Sequence, residues 1–134
     1  MTAVAGSFGL STIGQIAVVV HDLPRAVAFY RDTLGMRLLF EAPPKMAFFD
    51  CGGVRLMLSL PETAEYDHPS SIIYYTVDDI QLAAAVLQAR GVVFDSAPHL
   101  VAQLPHADLW MAFLRDADRN PVALMSEVKT LHQP

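Results

Sequence analysis

The chain has very little cysteine, and this limits both its chemistry and its means of stabilisation. It contains one cysteine in 134 residues, Cys51, so no internal disulfide can form. Cys51 lies in an apolar run that begins at Met46, and we expect a packed thiol there rather than a nucleophile. With 53% hydrophobic residues, a chain of this length can fill a core without a disulfide or a structural metal.

Long hydrophobic runs and clusters of basic residues are also absent from the sequence. No uninterrupted apolar run reaches the roughly 18 residues that a membrane span requires, and the first ten residues lack the basic start of a secretory signal. The nine Lys and Arg residues are scattered and the net charge is -5, which does not favour binding to a phosphate backbone. The sequence therefore predicts a cytoplasmic protein with neither a membrane nor a nucleic-acid partner.

What the sequence does contain is an internal repeat. Each half begins with a short apolar run that ends in an acidic residue, Asp22 or Asp79, and each continues through a helix-like stretch to Gly35 or Gly91. The offset is 57 residues between the aspartates and 56 between the glycines, so the register holds across the helix. This repeat predicts one structural domain built from a module at 13–60, a linker at 61–70 and a module at 71–128, with a cleft between the modules.

Hydrophobic periodicity and turn residues predict the same order of elements, βαβββ, in both halves. In the first half we expect a helix that Asp22 caps and Gly35 ends, because aspartate accepts from free N–H groups and glycine adopts a positive φ. The predicted strands of the first half are 15–20, 36–41, 46–51 and 54–60. The second half is predicted as a strand at 72–77, a helix at 80–90, a strand at 92–95, a loose stretch with Pro98 and Pro105, and strands at 109–115 and 122–127.

Four segments read QIAVVVHDL at 15–23, AFYRDTLG at 28–35, GVRLML at 53–58 and FLRDADRN at 113–120. Together they resemble the vicinal oxygen chelate superfamily, which includes glyoxalase I, extradiol dioxygenases, methylmalonyl-CoA epimerase and the fosfomycin and bleomycin resistance proteins. The resemblance covers about residues 13 to 128. It implies an α+β fold in which two βαβββ modules form a partly open, eight-stranded, barrel-like sheet around a ligand cleft, often in a homodimer.

The resemblance also implies where a metal ion would sit. In metal-dependent members, His, Glu or Gln from the first and last strands of each module hold a divalent ion. The matching positions here are Gln15, Met57, Ile72 and Ala123, with Val122 or Leu124 as the alternatives if the last strand is shifted by one residue. Only Gln15 offers an oxygen, and divalent ions need several converging donors. We therefore predict that the metal centre is absent and that the protein uses no cofactor.

Without a metal, the cleft is predicted to bind an organic molecule with an aromatic or aliphatic body. Because alternate residues of a strand share a face, the predicted ligand-binding residues line that cleft. They are Gln15, Arg55, Met57, Ile72, Tyr74, Trp110 and Ala123. Trp110 and Phe113 have opposite parity, so at most one of them faces inward. Arg55 needs a partner, since an unpaired buried guanidinium is costly, and Glu41, Asp50 or a ligand carboxylate could provide it.

The leading hypothesis is a metal-free, small-molecule binding protein that acts like the drug-sequestering resistance proteins and forms a homodimer. The alternative is a metal-dependent lyase, epimerase or dioxygenase with atypical ligands. A third possibility is cofactor-free acid–base catalysis by Glu41 or Asp50. Among the histidines, His21 and His132 are expected to be solvated, whereas a site that includes His68, His99 or His106 stays open.

Overall fold

The strands form two four-stranded sheets in a computed structural model that describes residues 8–130. The first sheet contains β1 (Gln15–Val19), β2 (Arg37–Ala42), β3 (Met46–Cys51) and β4 (Val54–Ser59). The second contains β5 (Ile73–Thr76), β6 (Ser96–Gln103), β7 (Ala107–Arg115) and β8 (Pro121–Lys129).

The two sheets have the same topology and the same register. Their strand orders are β1-β4-β3-β2 and β5-β8-β7-β6, and the first and last strands of each half pair in parallel. Ala17 lies opposite Met57 in the first sheet, and Tyr74 lies opposite Ala123 in the second. No strand pairing joins the sheets within residues 8–130, so they are not closed into a barrel. The predicted fold of two βαβββ units is confirmed.

Each half contributes one main helix, and both helices begin as predicted. Helix α1 (Leu23–Ala28) starts where the Asp22 carboxylate accepts from the Arg25 N–H at 3.2 Å. Helix α2 (Ile80–Ala89) starts in the same way at Asp79, whose carboxylate accepts from the Leu82 N–H at 3.0 Å. In both halves the chain leaves the helix through a glycine of positive φ, at 74° for Gly35 and 95° for Gly91.

Helix α1 does not continue regularly to Gly35. It passes into a π-helical turn, Phe29–Thr33, in which the Leu34 N–H donates to the Phe29 carbonyl at 2.9 Å. A π turn is rare and inserts an extra residue into the helical repeat. Hydrophobic spacing alone predicted one continuous helix there. Neither helix is long and apolar enough to cross a membrane, as holds for every helix within residues 8–130.

The hydrophobic core lies on the helix side of both sheets. In the first half, Val18, Phe49 and Leu58 are almost fully buried beneath α1. In the second half, Leu114 and Val122 pack with Ile80 of α2. Phe29 and Leu34 pack against both clusters, so the helix sides of the halves share one core. The opposite face of each sheet, which we call its open face, carries many exposed side chains.

A buried carboxylate ties the two halves together. Asp116, only 3% exposed, accepts from the Tyr30 hydroxyl at 2.7 Å and from the backbone N–H groups of Asp118 and Asn120, both at 2.8 Å. The Asn120 amide donates to Asp116 and also to the Val19 carbonyl, both at 3.0 Å. Burial and the adjacent Asp116 carboxylate raise the pKa of Tyr30, so its hydroxyl stays protonated and donates.

One strand prediction is wrong. The structure has no strand at 92–95, and β6 instead occupies Ser96–Gln103, within the stretch that was expected to be loose. Pro98 lies in this strand, where it is tolerated because β6 is at the edge of its sheet. The register of β6 against β7 shifts twice, which explains why its sequence shows no clear alternation.

Candidate ligand-binding site

Three predicted residues meet on the open face of the first sheet. Gln15 on β1 lies opposite Arg55 on β4 in the parallel register. The Arg55 Nε donates to the Gln15 Oε1 at 2.9 Å, and the Gln15 amide nitrogen lies 3.7 Å from the Met57 sulfur. The sequence thus correctly placed Gln15, Arg55 and Met57 on one surface, where they form a single hydrogen-bonded group.

Two aromatic rings extend this group across the sheet. The Arg55 guanidinium carbon lies 5.1 Å from the centre of the Phe48 ring, within the range of a cation–π contact. Phe48 stacks on Phe40 of the edge strand, with ring centres 4.5 Å apart, and Phe40 is 48% exposed. Both rings were missed as candidates, although the alternation along β3 places Phe48 on the same face as Met46 and opposite to Phe49.

The partner of Arg55 differs from the candidates that the sequence suggested. Glu41 and Asp50 make no hydrogen bond or ion pair with it, although Asp50 lies opposite Arg55 in the β3–β4 register. Gln15 and Phe48 hold the guanidinium instead, and Arg55 is exposed rather than buried. Its two terminal nitrogens make no hydrogen bond to another described residue, so they are free to donate to a ligand.

The linker closes one end of the first open face. A pocket of about 280 Å³ lies between Ala17, Met46 and Met57 of the sheet and the linker residues Tyr66 and His68. The linker contains a 3₁₀ turn, Ala64–Tyr66. The predicted linker therefore forms a wall of the pocket, which its composition did not indicate.

On the second sheet, the open face carries an aromatic pair. Tyr74 packs edge-to-face against Phe113 with ring centres 6.1 Å apart, and Ala123 beside them is fully buried. The His99 ring lies 6.3 Å from Phe113. The His99 Nδ1 is 2.8 Å from the Ala97 carbonyl, and donation there would leave Nε2 as the exposed acceptor.

The remaining predicted residues lie apart from these contacts. Ile72 is 46% exposed and comes one residue before β5. Trp110 packs on the helix side against the cluster that contains Ile80 and Leu114, so Phe113 is the residue of this pair that lies on the open face. No hydrogen bond or ring contact joins the Gln15 group to the Tyr74 group within residues 8–130.

The residues at the four implied metal positions do not fit a divalent ion. Met57 offers a thioether, while Ile72 and Ala123 offer hydrocarbon and Ala123 is buried. The Gln15 oxygen, the one hard donor of the set, already accepts from the positively charged Arg55. A cation this close opposes a second cation at the same oxygen. No cluster of three or more His, Cys, Asp or Glu side chains suited to a metal occurs in the described part of the chain.

Of the two histidines expected to be solvated, His21 can be compared with the structure. His21 is exposed, but it is also paired: its Nε2 lies 2.7 Å from an Asp67 carboxylate oxygen, and Asp118 is close to its Nδ1 at 3.5 Å. The hydrogen bond to Asp67 raises the pKa of His21. His106 lies in the turn between β6 and β7, and His132 lies outside the described residues.

A larger pocket, of about 480 Å³, lies on the helix side of the second sheet. Its wall includes Leu82 and Val86 of α2, Met36 and Cys51 of the first half, and Tyr75 of β5. Burial raises the pKa of the Cys51 thiol, which favours the packed, unreactive form that the sequence predicted. This pocket is mostly apolar, whereas the open face of the first sheet combines aromatic rings with the positively charged Arg55 guanidinium.

Comparisons with known proteins agree with the fold. The model of the Glyoxalase/Bleomycin resistance protein/Dioxygenase superfamily matches residues 12–124. The protein YraH of Bacillus subtilis, described as uncharacterized, is 26% identical over 123 residues, which cover 82% of this chain and 94% of YraH.

Two solved structures illustrate the range of similar proteins. TnmS3, an antibiotic binding protein from Streptomyces sp. CB03234, has a TM-score of 0.73 and 25% identity, covering 90% of this chain and 98% of its own. A lactoylglutathione lyase from Agrobacterium tumefaciens has a TM-score of 0.69 and 23% identity, and the match covers 87% of this chain and 93% of the lyase chain.

Proposed function

Because the chain belongs to the Glyoxalase/Bleomycin resistance protein/Dioxygenase superfamily, in which fold does not fix activity, we propose its function from the open faces of its sheets. We propose that it is a metal-free binding protein for a small organic molecule. The ligand lies on the open face of the first sheet, with an oxygen acceptor at Arg55 and an aromatic or aliphatic body against Phe40, Phe48 and Met57.

The observation that supports this proposal is the contact between Arg55 and Gln15. A guanidinium held by an amide on one side and an aromatic face on another is oriented before any ligand arrives. A preorganised donor loses little side-chain entropy on binding, which favours affinity. Arginine also pairs well with planar carboxylates, because its donors match their two oxygens. A carboxylate or carbonyl attached to an aromatic body is the ligand chemistry that this surface suits best.

Similarity to TnmS3 is consistent with the proposal, since that protein is described as antibiotic-binding and is similar over most of both chains. We propose sequestration of this kind for the present chain. It requires only an enclosed, largely apolar site and no reacting groups.

A second copy of the chain completes the site in this proposal. The open faces carry exposed apolar side chains, among them Phe40, Ile72 and Tyr74, which are 48%, 46% and 43% exposed. No hydrogen bond or ring contact joins the Gln15 and Tyr74 groups within the described chain, so a homodimer that brings the first face of one copy to the second face of another would enclose the ligand. Light scattering after gel filtration, with and without ligand, measures this association.

Calorimetric titration tests the binding function. The untagged protein would be titrated with a panel of aromatic carboxylates, neutral aromatic metabolites and antibiotics. We expect saturable binding of at least one aromatic molecule that bears a carboxylate or carbonyl. Loss of that binding in Arg55→Gln, with Arg37→Gln as the matched control elsewhere on the sheet, locates the ligand. A panel without any saturable binding contradicts the proposal.

The alternative function is a metal-dependent lyase, epimerase or dioxygenase, and one observation favours it: Gln15 is a residue type that can ligate a metal. In that case the other ligands would come from loops or from a partner chain. Elemental analysis of protein purified without a histidine tag separates the two. Stoichiometric metal that is lost together with activity on chelation would support the enzyme.

A further inference from the structure

A third pocket, of about 320 Å³, lies between the two halves. Its wall includes Thr33 of the π turn, Arg90 at the end of α2, and Arg115 and Arg119 around the β7–β8 turn. Three of the nine Lys and Arg residues of a chain with net charge -5 thus line one pocket, and no acidic residue is among its lining residues. Basic residues that are scattered along the sequence therefore converge in the fold.

Most of the guanidinium donors in this pocket remain free. Arg90 donates one Nη1 hydrogen bond to the Thr33 carbonyl at 3.0 Å. Arg115 is paired with Asp95 at 2.8 Å and donates from Nη1 to the Arg119 carbonyl at 3.2 Å. The Arg119 side chain makes no hydrogen bond or ion pair to another residue of the described chain. Asp95 offsets one of the three charges, which leaves two positive charges without a carboxylate partner.

The backbone at Arg119 suggests that its side chain has a role. Its φ is 69°, the one positive φ at a residue other than glycine in the described chain. This left-handed conformation is unfavourable for a side chain with a Cβ and is the conformation that glycine adopts freely. An arginine in a position that glycine would occupy without strain is consistent with a role for its side chain.

The π turn of the first half is an independent feature of the pocket wall. Phe29 and Thr33, its first and last residues, both line the pocket. Such turns are costly relative to regular helix and occur frequently at functional sites. Here the turn brings the Thr33 carbonyl to Arg90, which fixes one guanidinium at the pocket wall.

We propose that this pocket is an oxyanion-binding site that takes a phosphate group. Phosphate has several acceptor oxygens and a double negative charge. The guanidinium group of arginine binds it through two parallel hydrogen bonds. The volume also accommodates a small organic body beside Phe29 and Val92. Because Arg90 already contacts the first half through Thr33, an anion here would strengthen the contact between the halves.

The test uses the full chain at low ionic strength and follows thermal unfolding and calorimetric titration. Inorganic phosphate and phenyl phosphate are the probes, and sodium chloride at matched ionic strength is the control for screening. We expect both phosphates to raise the Tm saturably beyond the chloride effect, since a ligand that binds the native state stabilises it. Phenyl phosphate binding more tightly than inorganic phosphate would identify an organic phosphate as the ligand, whereas equal affinities would identify the free ion.

Arg119→Gly is the decisive variant, because it removes the guanidinium and leaves a residue suited to the positive φ. We expect it to fold normally and to bind phosphate at least 10-fold more weakly, and Arg90→Ala to weaken binding as well. Arg37→Ala, which removes an exposed arginine from β2, should bind within twofold of the unaltered chain. A phosphate effect no larger than that of chloride, or unchanged affinity in Arg119→Gly, would overturn the proposal.

Discussion

The two halves of the molecule share a backbone plan and differ in what they place on it. Met57 and Ala123 occupy equivalent register positions, yet Met57 is half-exposed beside a cation and Ala123 is fully buried under aromatic rings. The β3–β4 turn contains Gly52 and Gly53, whereas the β7–β8 turn packs Asp116 against the first half. The repeat therefore specifies where a residue lies, and the individual side chain decides whether the position binds, packs or joins the halves.

The largest expected effect is the loss of stability when Asp116 of the β7–β8 turn is replaced. Asp116→Ala would leave the Tyr30 hydroxyl, the Asn120 amide and two backbone N–H groups without their shared acceptor. Each buried unsatisfied group costs about 1–3 kcal/mol, so we expect the free energy of unfolding to fall by about 3 kcal/mol or more. Urea denaturation measures this change.

Asp50→Ala is the matched control, because this half-buried carboxylate lies beside the turn of the first half and makes no hydrogen bond or ion pair to a described residue. We expect its effect to stay within about 0.5 kcal/mol. Equal losses in the two variants would contradict the claim that the Asp116 contacts join the halves.

The next effect concerns ligand binding on the two open faces. Hydrogen bonds to a charged group are worth about 1.5–3 kcal/mol, so Arg55→Met should weaken a carboxylate-bearing aromatic ligand by about 10-fold to 100-fold. Tyr74→Leu removes a ring rather than a charge, and should weaken charged and neutral aromatic ligands equally. Calorimetric titration with a matched pair, an aromatic acid and its amide, measures both. If Arg55→Met weakened the amide as much as the acid, the proposed role of the cation would be wrong.

A reciprocal exchange tests the packing difference between equivalent positions. Ala123→Met inserts a long side chain beneath Tyr74 and Phe113, and overpacking of this kind costs about 1–3 kcal/mol. Met57→Ala removes a half-exposed side chain and should cost less, about 1 kcal/mol, since little buried volume is lost. Thermal unfolding of both variants gives the comparison. A larger loss for Met57→Ala would show that the first open face is packed more tightly than the structure indicates.

The smallest effect concerns the exposed pair of His21 and Asp67, in contrast to the buried hydrogen bonds of Asp116. Because pairing with Asp67 raises the pKa of His21, this pair stabilises the fold when His21 is protonated. Its contribution is present below pH 6.5, the pKa of an unpaired histidine, and is lost as pH rises through the higher folded-state pKa. His21→Gln should therefore lower the Tm more at pH 5.5 than at pH 8.5. The same difference at both pH values would exclude the charged pair as its source.

The sequence was sufficient for the features that depend on local chemistry. The cap at Asp22, the helix ends at Gly35 and Gly91, and the face shared by Gln15, Arg55 and Met57 all follow from neighbouring residues or strand alternation. Strand β6 was missed because its edge position tolerates Pro98 and its register shifts hide the alternation.

Other features depend on contacts between distant residues, and these could not be predicted. The partner of Arg55 is 40 residues away, and parity alone could not decide between Trp110 and Phe113. The convergence of Arg90, Arg115 and Arg119 requires the packing of one half on the other. Likewise, no spacing in the sequence indicates that the Tyr30 hydroxyl donates a hydrogen bond to Asp116.

The central claim is that the residues at the implied metal positions do not hold a divalent ion, because the Gln15 oxygen already accepts from the Arg55 guanidinium and the other three positions offer no hard donor. Calorimetric titration of the untagged protein with Ni²⁺ and Zn²⁺ tests it most directly. We expect no stoichiometric binding at micromolar metal concentrations, either in the unaltered chain or in Gln15→Ala. One ion bound per chain at those concentrations, lost in Gln15→Ala, would contradict the claim.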